Sequence, residues 1–168
     1  MVYVDIDGVL AEFDTTKSIE DVAAPGYSLK LKPIEPMCRV INRLSKEMPV
    51  TILSAVLHEQ AKSDKREWLA NFVSKKLADT AIFVDCGTSK GSVIETACCK
   101  HRYENILVDD FSKNLHEWPG IGIKVYNGIN GTHGTWKGFN VRTGYDINWL
   151  ITYCQLAGII KTIQEEFK

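Results

Sequence analysis

Asp5 and Asp7 stand two residues apart in the run DIDGV, directly after the apolar stretch Val2 to Val4. Residues i and i+2 of an extended backbone point to the same side, so these two carboxylates converge. Gly8 lets the chain turn away sharply behind them. A second acid pair, Asp109 and Asp110, closes another apolar run, ILVDD. Carboxylates meeting from neighbouring strands make an oxygen-rich site suited to a hard cation such as Mg²⁺, with Asp5, Asp7, Asp109 and Asp110 as the candidate ligands. Paired acids also allow a division of labour. One attacks phosphorus to form an acyl phosphate, and the other gives a proton to the departing alkoxide and then activates water.

A dianionic phosphate needs cationic and hydrogen-bonding partners beside such acids. Ser54, with its neighbour Ala55, follows the run Val50 to Leu53, and Lys90 lies in GTSKG after the run Ala81 to Val84. Lys100 is nearer in sequence to Asp109. On a helix from about Lys90 to Lys100, however, it sits at the far end, which favours Lys90 as the phosphate lysine. His133, in the glycine-rich stretch NGINGTHGTWKG, is a further candidate for substrate contact.

Blander readings compete with each of these. A lone DxDG is weak evidence, because Asp-Gly pairs commonly form turns. An EF-hand fails, since the loop position that requires Glu falls on Thr16. A serine after a strand often caps or turns the chain without touching a ligand. The conjunction carries the argument: acids after the first and fourth strands, a hydroxyl after the second and a lysine between. Trp118 and Trp136 read as packing residues, and the run Lys62 to Arg66 as a solvated helix face.

The elements that must position these groups follow an α/β pattern. Short, nearly all-apolar runs at Val2 to Val4, Val50 to Leu53, Ala81 to Val84, Ile106 to Val108 and Ile121 to Tyr126 read as strands covered on both faces. Met37, Val40, Ile41 and Leu44 recur at helical spacing, as do Trp68, Leu69, Phe72 and Val73. Both connections can therefore be right-handed helical crossovers. A final amphipathic helix spans Asp146 to Phe167, with Asp146 as N-cap and Ile147, Leu150, Ile151, Cys154, Ile159 and Ile163 on its apolar face. Asp14 to Pro33 and Asn127 to Gly138 read as loops. In an open parallel sheet, ligands sit beyond the carboxyl ends of the strands, where all the candidate residues fall.

A chain of 168 residues, 45% hydrophobic, fits one domain. A net charge of -1 gives no field that would draw in a polyanion. Five cysteines without a CxxC pair suggest neither a disulfide framework nor a zinc site, and fit reduced thiols in a cytoplasm. The opening MVYVDID places acids where a signal peptide needs a basic and then an apolar stretch. No apolar run approaches the roughly 20 residues of a membrane span.

DIDGV, Ser54, Lys90 and ILVDD resemble, in order and spacing over essentially the whole chain, the four motifs of the haloacid dehalogenase superfamily of phosphatases. The resemblance implies a three-layer Rossmann-like fold with a five-stranded parallel sheet in the order 3-2-1-4-5. It implies Asp5 as nucleophile, Asp7 as acid/base, Ser54 on a phosphoryl oxygen and Lys90 screening charge. Asp109 would bind Mg²⁺ with help from Asp110 and the Asp7 carbonyl. Within the superfamily, DIDGVLAEF, LKPIEPM and ILVDDFSKNLHEW are similar to the 5'(3')-deoxyribonucleotidases and their bacterial and phage relatives, which implies a deoxyribonucleoside monophosphate as substrate. The segment of about Glu12 to Pro33 is too short for a helical cap of its own. Selectivity must then come from that small cap-like insertion, the 127–138 loop or a neighbouring subunit.

The resulting expectation is a single-domain, cytoplasmic, Mg²⁺-dependent phosphate-monoester hydrolase. A sugar-phosphate phosphatase and a phosphatase of polynucleotide ends are the enzymatic alternatives. A receiver-like, non-catalytic module is the third. It also clusters acids with a lysine on five strands, but it places its phospho-accepting Asp after the third, where Asp85 stands here.

Overall fold

A computed structural model of the chain describes residues 1–95, 104–128 and 135–166. In chain order the elements are β1 (Val2–Val4), α1 (Ile19–Ala23), a 3-10 turn (Ser28–Lys30), α2 (Glu35–Leu44), β2 (Val50–Val56), α3 (Glu59–Phe72) and α4 (Lys75–Asp79). They continue with β3 (Ile82–Asp85), α5 (Ser92–Glu95), β4 (Ile106–Asp109), α6 (Ser112–Glu117), β5 (Ile121–Tyr126), β6 (Phe139–Arg142) and α7 (Trp149–Glu166).

The six strands among the described residues form one sheet in the order β3-β2-β1-β4-β5-β6, and each of their pairings is parallel. The architecture is α/β and Rossmann-like. The five runs seen in the sequence are the first five strands in the expected order, and the sheet exceeds that expectation by β6. Phe139-Asn-Val-Arg142 is short, and only Val141 is buried. With Asn140 and Arg142 on its exposed positions, it lacks the apolar run that marks the other strands.

Val2 stands opposite both Val50 and Ile106, which places β1 at the centre of the sheet. The connection from β1 runs to β2 on one side, while β4 joins β1 from the other. The strand order reverses there, leaving a crevice beyond the carboxyl end of β1. One core lies between the sheet and α2, α3 and α7 and includes Met37, Val40, Ile41, Leu44, Trp68, Leu69, Leu156 and Ile160. A smaller one, with Leu53, Ile94, Leu107, Leu115 and Trp118, lies under α5 and α6.

Three local readings need correction. Ser54 lies inside β2, which runs on to Val56, rather than at its end. α7 begins at Trp149, and Asn148 Oδ1, not Asp146, accepts the Leu150 N–H at 3.0 Å. Its buried stripe is Thr152, Leu156, Ile160 and Ile163, whereas Leu150, Ile151 and Cys154 are exposed. Thr152 can face inward because its hydroxyl donates to the Arg142 carbonyl at 3.0 Å. Finally, the 14–33 stretch is more than a loop. It carries α1, whose Ser18 and Asp21 form a reciprocal capping box, and the 3-10 turn.

The base of this insertion is closed. Ala11 bridges Pro33, the Glu12 N–H donates to the Lys32 carbonyl at 2.9 Å, and Ile34 N–H donates to Leu10 at 2.7 Å. Its body is tied to α3. The Gly26 N–H donates to Asp64 Oδ2 and Trp68 Nε1 to the Leu31 carbonyl, each at 2.8 Å. His58 receives the Ala61 N–H on Nδ1, so its Nε2 carries the proton donated to the Ala23 carbonyl at 2.8 Å. Among the described residues, no helix is long and apolar enough to cross a membrane.

Candidate active site

Asp5 follows β1 directly, and the chain then folds back in a tight turn in which Leu10 and Ala11 both donate to the Ile6 carbonyl. Gly8 holds this turn at φ +72°, a left-handed conformation that other residues rarely adopt. A Cβ at this position would lie 2.0 Å from Asp110 Oδ2, so the turn also needs a glycine in order to pack against the carboxylate arriving from β4. The Gly8 carbonyl accepts the side-chain amide of Asn127, which follows β5.

Asp5, Asp109 and Asp110 are buried, and one oxygen from each lies within 4.8 Å of the others. Lys90 is buried among them, with Nζ 2.9 Å from Asp5 Oδ1 and 2.7 Å from Asp109 Oδ2. Asp109 accepts two more hydrogen bonds, from the Phe111 N–H at 2.8 Å and Asn114 Nδ2 at 3.0 Å. Burial opposes the charge on Lys90, but Asp109 and Asp5 outweigh it and hold the ammonium above the ordinary lysine range. Burial, and after it the neighbouring Asp109 and Asp5, pushes Asp110 up to about 8. Among the described residues its buried Oδ2 meets no hydrogen-bond donor. Such an oxygen, in a group of three buried carboxylates, is what a bound cation would satisfy, so the residues present fit a hard divalent ion.

Asp7 turns elsewhere. Its Oδ2 is 2.5 Å from Lys65 Nζ, which also donates to Ser54 Oγ at 3.1 Å and to the Ala55 carbonyl at 2.8 Å. Lys65 is only 5% exposed. The 62–66 run is therefore not a uniformly solvated face. Ala61, Lys65, Trp68 and Leu69 share one buried side of α3, at the spacing i, i+4, i+7, i+8. That periodicity was the available signal for Lys65, hidden by reading its charge as a mark of exposure.

A cavity of about 590 Å³ opens onto Asp5, Asp7, Asp110, Lys65 and Lys90. Ala55 lines it, whereas Ser54 is completely buried beneath Lys65 and does not. The lining also includes apolar side chains, Phe13, Ile19, Val22 and Tyr27 from the insertion, Leu57 just after β2 and Phe111 from the turn after β4, beside the polar Thr15, Lys17, Ser18 and Asn114. Ile19 and Phe111 are 75% and 56% exposed. Trp118 is buried, as a packing residue should be, with its ring edge-on to Tyr3 at 5.2 Å. Lys90 precedes α5 and reaches the site from the turn before it. Lys100 and His133 lie outside the described residues. No known protein family model matches the chain, and no curated protein matches it.

Proposed function

We propose that this protein hydrolyses phosphate monoesters through an aspartyl-phosphate on Asp5, as the haloacid dehalogenase phosphatases do, and that nucleoside monophosphates, deoxy forms foremost, are its substrates. The observation that carries this reading is the pairing of each acid in the DIDG turn with its own lysine, Asp5 with Lys90 and Asp7 with Lys65, at the mouth of one cavity. A binding module needs cations for a phosphate but has no use for a second carboxylate held apart from the first.

Asp5 attacks phosphorus, and the bond to the ester oxygen breaks as Asp7 gives that oxygen its proton. Asp7 then takes a proton from a water molecule that attacks the acyl phosphate, releasing inorganic phosphate and restoring Asp5. Lys65 fixes the Asp7 carboxylate for both transfers and draws phosphoryl charge toward itself. Ser54 supports Lys65 from below. Asp5, Asp109 and Asp110 would hold a cation such as Mg²⁺, which when bound neutralises charge and polarises a phosphoryl oxygen.

The apolar side chains in the lining, Phe13, Ile19, Val22, Tyr27, Leu57 and Phe111, support a leaving group with a flat ring, which can pack on them while its polar edge meets Thr15, Ser18 or Asn114. The test is turnover with Mg²⁺ on a panel of nucleoside monophosphates, sugar phosphates and 5'-phosphorylated oligonucleotides. Hydrolysis of the first group with the highest kcat/KM is the expected result. Turnover of only the second or third overturns the substrate, and no turnover of any phosphate ester overturns the reaction.

A further inference from the structure

Lys124, on β5, is a third lysine near the acids and has no part in the chemistry above. It is only 2% exposed and does not line the cavity. Its Cα is in register with that of Asp109, and facing residues of parallel neighbours project to the same face of a sheet. Nζ lies 2.7 Å from Ser112 Oγ and 5.7 Å from the centre of the Tyr126 ring. Burying an ammonium is costly unless it is paired. Burial lowers the Lys124 pKa, while Asp110 and Asp109 draw it back up, so the side chain feels both carboxylates.

Ser112 opens α6 immediately after Asp109-Asp110-Phe111. The turn has two internal ties, both to Asp109: the Phe111 N–H and the Asn114 amide. Neither reaches the Asp110 side chain, whose buried Oδ2 has no donor among the described residues. The Lys124–Ser112 bond anchors the far end of the same turn to the neighbouring strand.

We propose that Lys124 is a positioning residue for the cation site, holding Asp110 toward Asp5 by tethering the 109–112 turn through Ser112. The inference rests on the cation assignment of the proposed function. Partners behind the ligands of a metal site orient them, and losing one typically weakens binding about 10- to 100-fold.

The sign of the effect separates tethering from bare electrostatics. A lysine acting only as a nearby positive charge weakens Mg²⁺ binding, so its removal would tighten it. A lysine acting as a tether strengthens binding, so its removal would loosen it.

The test is Mg²⁺ titration by calorimetry on the full chain, alongside Mg²⁺-induced shifts in Tm. Lys124→Met keeps most of the apolar stem, Ser112→Ala removes only the hydroxyl, and Ser112→Thr restores it. The expected result is a Kd for Mg²⁺ raised about tenfold in Lys124→Met and in Ser112→Ala, with Ser112→Thr close to the parent. In turnover, the Mg²⁺ concentration for half activation should rise in parallel while kcat at saturating Mg²⁺ changes little.

If Lys124→Met does not fold, the two Ser112 variants decide. Unchanged or tighter binding in Ser112→Ala, or in a folded Lys124→Met, overturns this inference and leaves the cation site standing. A parent chain that does not bind Mg²⁺ overturns both.

Discussion

Lys65 Nζ sits 2.5 Å from Asp7 Oδ2, which joins the second acid of the DIDG turn to a helix more than fifty residues further along the chain. The same ammonium reaches Ser54 and the Ala55 carbonyl, so β2, α3 and the first turn meet on one cation. Lys90 does the corresponding work for Asp5 and Asp109. The two acids therefore stand in separate electrostatic settings despite their closeness in sequence.

Lys65→Met should lower kcat/KM for a phosphate monoester by about 100-fold or more, the scale of losing one preorganised donor. Lys62→Ala, on the exposed side of the same helix, should change it little. Steady-state kinetics on both variants checks the contrast, and equal small losses would remove Lys65 from the site.

Asp5→Asn should abolish turnover while circular dichroism and Tm stay close to the parent, because an amide keeps the shape but cannot form the acyl phosphate. Asp7→Asn should slow turnover by about 10²- to 10⁴-fold. With an activated ester, which needs no proton on leaving, its defect should shift toward dephosphorylation and show as a burst of alcohol release.

Mg²⁺ at about 100 times its Kd should stabilise the chain by about 2.7 kcal/mol against urea, since the folded state alone brings the three carboxylates together. Chelator should remove both this stabilisation and the activity. Asp110→Ala should show a much smaller Mg²⁺ effect, because a ligand is gone.

Gly8→Ala should lose both stability and Mg²⁺ binding. The substituted residue is strained at φ +72° and its Cβ collides with Asp110 Oδ2. A cost of about 1–3 kcal/mol is expected from backbone strain alone. Urea unfolding with and without Mg²⁺ measures the two losses separately.

The Cys38 thiol supplies a pH dependence. Burial, followed by the nearby Glu35, pushes it up from an ordinary value of 9.0 to about 12, and it donates to the Leu10 carbonyl. Its unfolded form loses a proton first, so between about pH 9 and 12 the unfolded state binds fewer protons than the folded one. Stability should fall through that window as pH rises, by at most about 1.4 kcal/mol per unit. Urea titrations at pH 7 and pH 10 should show a larger drop for the parent than for Cys38→Ala.

The parallel sheet was legible because its first five strands carry short, mostly apolar runs, including β3, which lies at the edge opposite β6 and is only half-buried. β6 was not, since a strand at the edge with three exposed positions looks like the loop before it. Asp5, Lys90, Asp109 and Asp110 could be placed on one rim because each follows a strand closely. Lys65 could not be found by that rule, since it reaches the rim from the side of a helix. Ser54 shows the opposite error: a polar residue after an apolar run was taken for the strand's end, while the strand continues and Lys65 takes its hydroxyl inward. In α7 Ile159 and Ile163 pack on the core as expected, but in its first turns the phase was wrong, because Thr152 faces the core through a backbone partner that hydrophobicity does not reveal.

The closed base at Ala11 and Pro33 lets the segment between them change length without shifting strand register, provided its ties to Asp64 and Trp68 on α3 are kept. Strand register, the acid turn and α2 are all secured before the insertion begins or after it ends. Doubling the length of a flexible loop costs only about 0.6 kcal/mol of closure entropy. A longer or different segment could be installed there with the sheet barely affected. Such a change would alter the part of the cavity lining that Phe13, Ile19, Val22 and Tyr27 supply and leave the acid turn beneath it in place.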